Sequence, residues 1–284
     1  MKISISKAIK LLFRNRYTRE GMKANKDIVN LEWYKDDVNL GDYLSTVIYK
    51  YMLSRHSIDE SAKSSGKKTK HLMAVGSILG GSGDFDATVW GSGIRNFSSV
   101  RGLCRKKIYQ KLDVRAVRGP FTRDALLQCG IKCPKVYGDP AVLMPLIYKP
   151  EVKEKSGTVL ILHFLTPPSQ YTEREDVTLL NIQTEDYKSF IDAIASADKV
   201  ISSSLHGIIL AEAYGIPAVF LRKGIESETI KFFDWYYSTG RNNIVVCSDL
   251  EEAMSVKPMP LPELAEIRTK LIEAFPYDLW EKAN

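Results

Sequence analysis

From residue 27 onward, short runs rich in β-branched and apolar residues alternate with longer stretches of helical periodicity. This alternation constrains the fold more than any other feature of the chain. It is the pattern of parallel strands joined by helical crossovers, in which helices cover the sheet on both faces. Candidate strands occupy 28–33, 72–75, 87–90, 114–117, 135–137, 159–163, 199–202, 218–221 and 244–247. Candidate helices occupy 41–54, 119–128, 185–196, 207–214, 250–254 and 262–275, the last opening with Pro262 where its missing N–H costs nothing. The polar, basic stretch 61–70 reads as a loop, and 146–157, with Pro150 and a run of charges, as a linker. A length of 284 residues suits two compact units of roughly 100–200 residues each. The expected class is therefore α/β, with a basic segment at 1–26, one Rossmann-like unit at 27–150, and a second with a closing helix at 151–284.

Charge is unevenly placed. Residues 1–26 hold eight Lys or Arg against Glu20 alone, whereas the remaining 258 positions hold 32 basic and 33 acidic residues. A near-neutral body excludes nucleic acid as the principal partner, because phosphate neutralisation needs a basic face. Within 1–26, Ile5, Ala8, Ile9, Leu12 and Phe13 fall at helical spacing opposite the basic positions. That pattern serves a helix lying on anionic lipid and a helix packed on its own domain equally well. The apolar run 8–13 is broken by Lys10, unlike a secretory signal, and no stretch approaches the roughly 20 apolar residues of a membrane span. Four cysteines, with Cys129 and Cys133 lacking a partner pair for a tetrahedral site, point to no metal and a reduced, cytoplasmic setting.

Ligands of open parallel sheets bind beyond the carboxyl ends of strands, where helix N-termini present backbone N–H groups. Several strand ends here carry suitable chemistry. Asn39-Leu40-Gly41-Asp42 opens a helix directly. The turns Gly76–Asp84, with Gly81, Ser82 and Gly83, and Gly91–Arg95, with Ser92 and Arg95, allow close backbone approach; tight turning alone asks for the same glycines. In KVISSSLHGIILAEAYGIP, from Lys199 to Pro217, a strand turns at Ser203 and Ser204 into a helix opening near Leu205, His206 and Gly207. A helix N-terminus disfavours imidazolium and a bound anion favours it, so His206 is suited to proton transfer, although a lone histidine is often merely a packed one. Arg118 ends a strand ahead of Gly119-Pro120, placed to grip a carboxylate or phosphate. Asp139, in Tyr137-Gly138-Asp139-Pro140, either caps a turn or takes part in catalysis.

The ordered series NxGD, GS…GSG, VRGPxT, YGDP and strand-SSxLHG-helix ending in GIP resembles the polysaccharide pyruvyl transferase family over roughly residues 30 to 222. The resemblance implies two Rossmann-like domains facing across a cleft, an arrangement called GT-B. It also implies transfer of a pyruvyl group from phosphoenolpyruvate, as co-substrate and with no cofactor or metal, to a sugar hydroxyl pair of a lipid-linked saccharide, closing a cyclic ketal. An enzyme of this kind is expected in the cytoplasm, peripheral to the inner face of the membrane. Leu205-His206-Gly207 matches the family's donor-site triplet and Arg118 the arginine of its RGP element. The family often has Arg before Leu-His; here it is Ser204, so Arg222, Lys223 or Arg95 is expected to replace that contact. The roles expected are His206, Asp42 and Asp139 in catalysis; Arg118, Ser203, Ser204, Leu205, Gly207 and Arg95 at the donor; and Asn39, Gly41, Gly81, Ser82, Gly83 and Ser92 along the acceptor cleft. Two rivals stay open: a nucleotide-sugar glycosyltransferase or epimerase of the same fold, and a noncatalytic binder of anionic polymer or membrane.

Overall fold

A computed structural model of the chain describes residues 27–66, 69–81, 85–106, 111–152, 157–167 and 175–281. The basic segment 1–26, the tip of the 61–70 loop, and Ser82 and Gly83 lie outside the described residues. The first half builds a parallel sheet in the order β1 (Asn30–Glu32), β2 (His71–Met73), β3 (Ala87–Trp90), β4 (Leu112–Ala116). Its helices are α1 (Leu40–Ser54), α2 (Phe97–Lys106) and α3 (Pro120–Gln128), and a 3-10 segment, Pro140–Leu146, leads out. The second half contains β5 (Thr158–Ile161), β6 (Val177–Leu180), α4 (Tyr187–Ala195), β7 (Lys199–Ser202), α5 (Leu205–Ala213), β8 (Ala218–Leu221), α6 (Ile230–Ser238), β9 (Val246–Cys247), α7 (Leu250–Ser255) and α8 (Ala265–Glu273). Its sheet is also parallel, in the order β6-β5-β7-β8-β9. Strand order therefore reverses at β5, and the crevice between the ends of β5 and β7 is a topological switch point.

The chemistry of each element explains its place. β2, β3 and β8 are buried along their whole length, as strands covered on both faces must be. α5 is apolar almost all round and every residue of it is buried, so it packs as a central helix rather than a surface one. It lies against α1 and the 3-10 segment, and one apolar cluster joins Leu44 and Ile48 of α1 to Ile208 and Ile209 of α5. The core thus runs continuously between the halves.

Three departures from expectation have physical causes. The expected strand 135–137 is reduced to one bridge between Val117 and Tyr137, because Pro134 precedes it and Gly138, at φ +139°, turns the chain out of register. β6, α2 and α6 were not expected; α6 is aromatic-rich, and its helix is held by burying Phe232, Trp235 and Tyr236 at i, i+3 and i+4. The closing helix α8 returns to the first sheet: Trp90 donates to the carbonyl of Leu271 at 2.8 Å and meets Phe275 edge to face at 4.8 Å.

The expectation of reduced cysteines also needs correction. Cys104 of α2 and Cys129 beyond α3 form a disulfide across 25 residues, while Cys133 and Cys247 are free and buried. Closing a loop of that length stabilises by about 3 kcal/mol through the unfolded chain. Among the described residues, no helix is long and apolar enough to cross a membrane.

Candidate active site

The N-termini of α1 and α5 converge at the switch point. Asn39 caps α1, its side chain accepting from the amide of Gly41 at 3.0 Å. Ser204 occupies the same position on α5 without a side-chain capping bond, so the opening amides of that helix keep their capacity to bind an anion. The two helix ends touch through His206. A Cβ added to Gly41 would lie 1.9 Å from its Nδ1, so only glycine lets the imidazole rest there.

Around this contact is a pocket of about 100 Å³. Tyr34, Asn39 and Asp42 line it from the first strand and helix, and Ser77, Ile78 and Arg95 from the turns after β2 and β3. His163 and Phe164 follow β5; Ser204, Leu205 and His206 follow β7; Glu228 and Lys231 complete the wall at the start of α6. Its electrostatics divide into three parts. The Nε2 of His206 lies 3.5 Å from Oδ2 of Asp139, whose Oδ1 accepts from the amide of Ala141 at 3.0 Å. Opposite, Glu228 is held near pKa 2: burial pushes it up, but His163, Lys231 and Arg95 together outweigh that. His163 Nε2 is 3.6 Å and Arg95 Nε 3.5 Å from its two oxygens. Burial lowers the Lys231 ammonium against the pull of Glu228. Between these groups, burial lifts the Asp42 carboxyl to about 6 despite the nearby His206 and Lys231 charges. The site therefore combines fixed cations and helix N-termini with an acid that carries its proton close to neutrality.

The structure sorts the expected residues. His206, Asp42, Arg95, Ser204, Leu205 and Asn39 line the pocket. Arg118 does not. It is completely buried, and its guanidinium donates to Asp234 at 3.2 Å, to Ser77 at 2.6 Å and to the carbonyl of Ile94, lying against Gly93. These contacts take three of its five N–H donors, and the arginine and lysine that do line the pocket are Arg95 and Lys231. Asp139, also wholly buried, does not line the pocket and lies beside His206, Oδ2 to Nε2 3.5 Å. Ser203 accepts from the amide of His163 at 2.8 Å, and Gly207 gives clearance over the Ser202 hydroxyl and Ile161, so both are framework. Ser92 donates to the carbonyl of Gly76 at 2.9 Å, and Gly81 is exposed away from the pocket. Arg222 and Lys223 are exposed and do not line it.

His163, Glu228 and Lys231 escaped the sequence reading. A histidine closing a candidate strand was a usable signal for the first. Glu228 and Lys231 gave none, because they reach the pocket only through the placement of α6.

The profile described as polysaccharide pyruvyl transferase matches residues 40–222. An uncharacterised protein of Acanthamoeba polyphaga mimivirus is 25% identical over 227 residues, covering 75% of each chain. Among solved structures, a functionally uncharacterised protein from Klebsiella pneumoniae subsp. pneumoniae NTUH-K2044 aligns at TM-score 0.50 with 13% identity, over 87% of this chain and all of its own, a likeness of fold alone. The wall teichoic acid polymerase TagF aligns more loosely, at TM-score 0.41 and 11% identity, over 97% of this chain and 90% of its own.

Proposed function

The chain belongs to the polysaccharide pyruvyl transferase family, and from that premise we propose that it moves the pyruvyl group of phosphoenolpyruvate onto two hydroxyls of a saccharide, forming a ketal and releasing phosphate. The observation that carries this reading is the Asp42 carboxyl, protonated up to about pH 6, enclosed with His206 beside two cationic side chains and an open helix N-terminus. A pocket of about 100 Å³ also suits a small anion better than a nucleotide sugar, since sites for drug-sized ligands run to roughly 300–1,000 Å³.

The chemistry asks for a proton on the donor methylene, which leaves an oxocarbenium-like carbon. One sugar hydroxyl adds to that carbon and loses its proton to a base. Phosphate then departs, the second hydroxyl adds and loses its proton, and the ring closes. The methylene becomes a methyl, the first hydroxyl's proton passes through the base to the departing phosphate, and the second hydroxyl's proton restores the acid, so the diol hydrogens are accounted for. In this scheme Asp42 gives the first proton, and His206, oriented by Asp139, takes the hydroxyl protons. Lys231, Arg95 and the α5 amides hold the carboxylate and phosphate. Thermal unfolding tests the donor: phosphoenolpyruvate should raise the midpoint and UDP should not, whereas stabilisation by UDP alone would favour a nucleotide-sugar enzyme.

Two expected results follow from the geometry. The Gly41→Ala variant gains helical propensity, but the added methyl must push the buried His206 ring aside, so a stability loss of about 1–3 kcal/mol accompanies the displacement. Displacements near 1 Å cost about 100-fold, and initial rates measured beside unfolding curves should show such a loss. The second concerns pH. If protonated Asp42 is the acid, kcat/KM falls as pH rises through about 6, where the free enzyme loses that proton. A bound anionic donor raises the same pKa, so the limb in kcat lies at higher pH. A profile with coincident limbs, or none, would remove Asp42 from the acid role.

The basic segment 1–26 gives this proposal a location. Its eight basic residues would hold the enzyme at an anionic cytoplasmic membrane face, where a lipid-linked acceptor would be presented. Salt-reversible sedimentation with anionic vesicles, lost on deleting 1–26, is the corresponding test.

A further inference from the structure

Beyond β5 and β6, adjoining the anion pocket, lies an open groove of about 480 Å³. The two cavities share His163 and Phe164 in their linings. A larger hollow of about 600 Å³ beside β1 shares no lining residue with that pocket.

The lining of the groove defines its occupant. Apart from His163 it has no ionisable side chain among the described residues, in contrast to the pocket next door. A phosphate or carboxylate would find no charged partner there. Its floor is apolar, with Phe164 and Leu179, and its rim carries Leu165, 69% exposed, together with the amides of Asn181 and Gln183. The Asn181 amide is fixed by a turn in which its Oδ1 accepts from the amide of Gln183 at 3.0 Å, so its NH₂ is the group that can donate. A purely hydrocarbon ligand would bury those amides unpaired. A pyranose presents apolar ring faces and hydroxyls together, and the volume lies within the usual range for a small-molecule site.

We infer that the acceptor binds here as a neutral saccharide, seated on Phe164 and recognised through Asn181 and Gln183. This places the acceptor in the second half of the chain, not along the glycine turns of the first. The inference rests on the pyruvyl-transfer reading for its biological meaning, but its binding test does not.

The experiment uses the full chain and saturation-transfer NMR with methyl β-galactoside, methyl β-glucoside and methyl α-mannoside as probes, with phosphoenolpyruvate-induced thermal stabilisation as a separate arm. Asn181 and Gln183 are exposed, so the double variant Asn181→Ala/Gln183→Ala should fold as wild type does. The expected result is about tenfold weaker glycoside binding in this variant and in Phe164→Ala, with donor stabilisation unchanged in the Asn181→Ala/Gln183→Ala protein. Saccharide binding lost in the variants while phosphoenolpyruvate fails to stabilise even the wild type would uphold the groove and overturn the donor. Glycoside binding indifferent to all three substitutions, or none by the wild type, would overturn the groove.

Discussion

Replacing His206 with alanine is expected to lower turnover by roughly 10²–10⁴-fold while leaving donor affinity nearly intact. The reasoning is positional. His206 stands on the first turn of α5, its ring wedged against Gly41 and its Nε2 3.5 Å from the buried Asp139 carboxylate. It lines the pocket at the junction of the two halves, beside the buried Asp139 carboxylate, where the proposed donor would bind. The groups proposed to hold the anion are different ones: Arg95 and Lys231, which line the same pocket, and the amides opening α5. Removing the imidazole should therefore depress kcat and spare the thermal shift induced by phosphoenolpyruvate. Turnover near the wild-type rate in His206→Ala would take this residue out of the mechanism.

The second large effect is on stability. Arg118→Ala is expected to destabilise the protein by about 3–5 kcal/mol, because it leaves the buried Asp234 carboxylate without its cation. Arg118 and Asp234 are both fully buried and 116 residues apart in the chain, and Asp234 also accepts from the amide and hydroxyl of Thr122 at 3.0 and 2.6 Å. The pair ties α6 to the turn before α3. A double-mutant cycle with Asp234→Ala should show strong coupling, the double variant losing much less than the two singles added together. Unfolding curves supply the test. An Arg118→Ala protein of wild-type stability that no longer bound phosphoenolpyruvate would restore Arg118 as a donor ligand and contradict the structure.

These two residues also mark how far the sequence was legible. The strand-SSxLHG-helix stretch fixed the position of His206, since an apolar β-branched run followed by a polar turn and an apolar helix has few ways to fold. The RGP arginine looked equally suited to a ligand, and the local pattern held nothing to say otherwise. What decides its role is a carboxylate on α6, an element whose aromatic run KFFDWYYS gives a weak helical signal and owes its conformation to burial. Lys231 and Glu228 stayed hidden for the same reason, as they belong to α6 and the turn before it. The parallel sheets were readable because most strands are short, apolar and followed by a helix; β6 was not, its four residues being partly or fully exposed beyond the first. The Cys104–Cys129 bond was illegible for another reason: spacing alone does not say which helices lie side by side.

The central claim is that one pocket, with Asp42 and His206 at its heart, transfers a pyruvyl group to a saccharide. Its most direct test is to incubate the protein with phosphoenolpyruvate and candidate glycans, then measure released phosphate and the mass of the glycan together. The account predicts phosphate appearing in step with a glycan bearing one pyruvate ketal, and both signals falling to background in His206→Ala. Phosphate release with no change in any glycan, or glycan modification that proceeds without phosphoenolpyruvate, would contradict it.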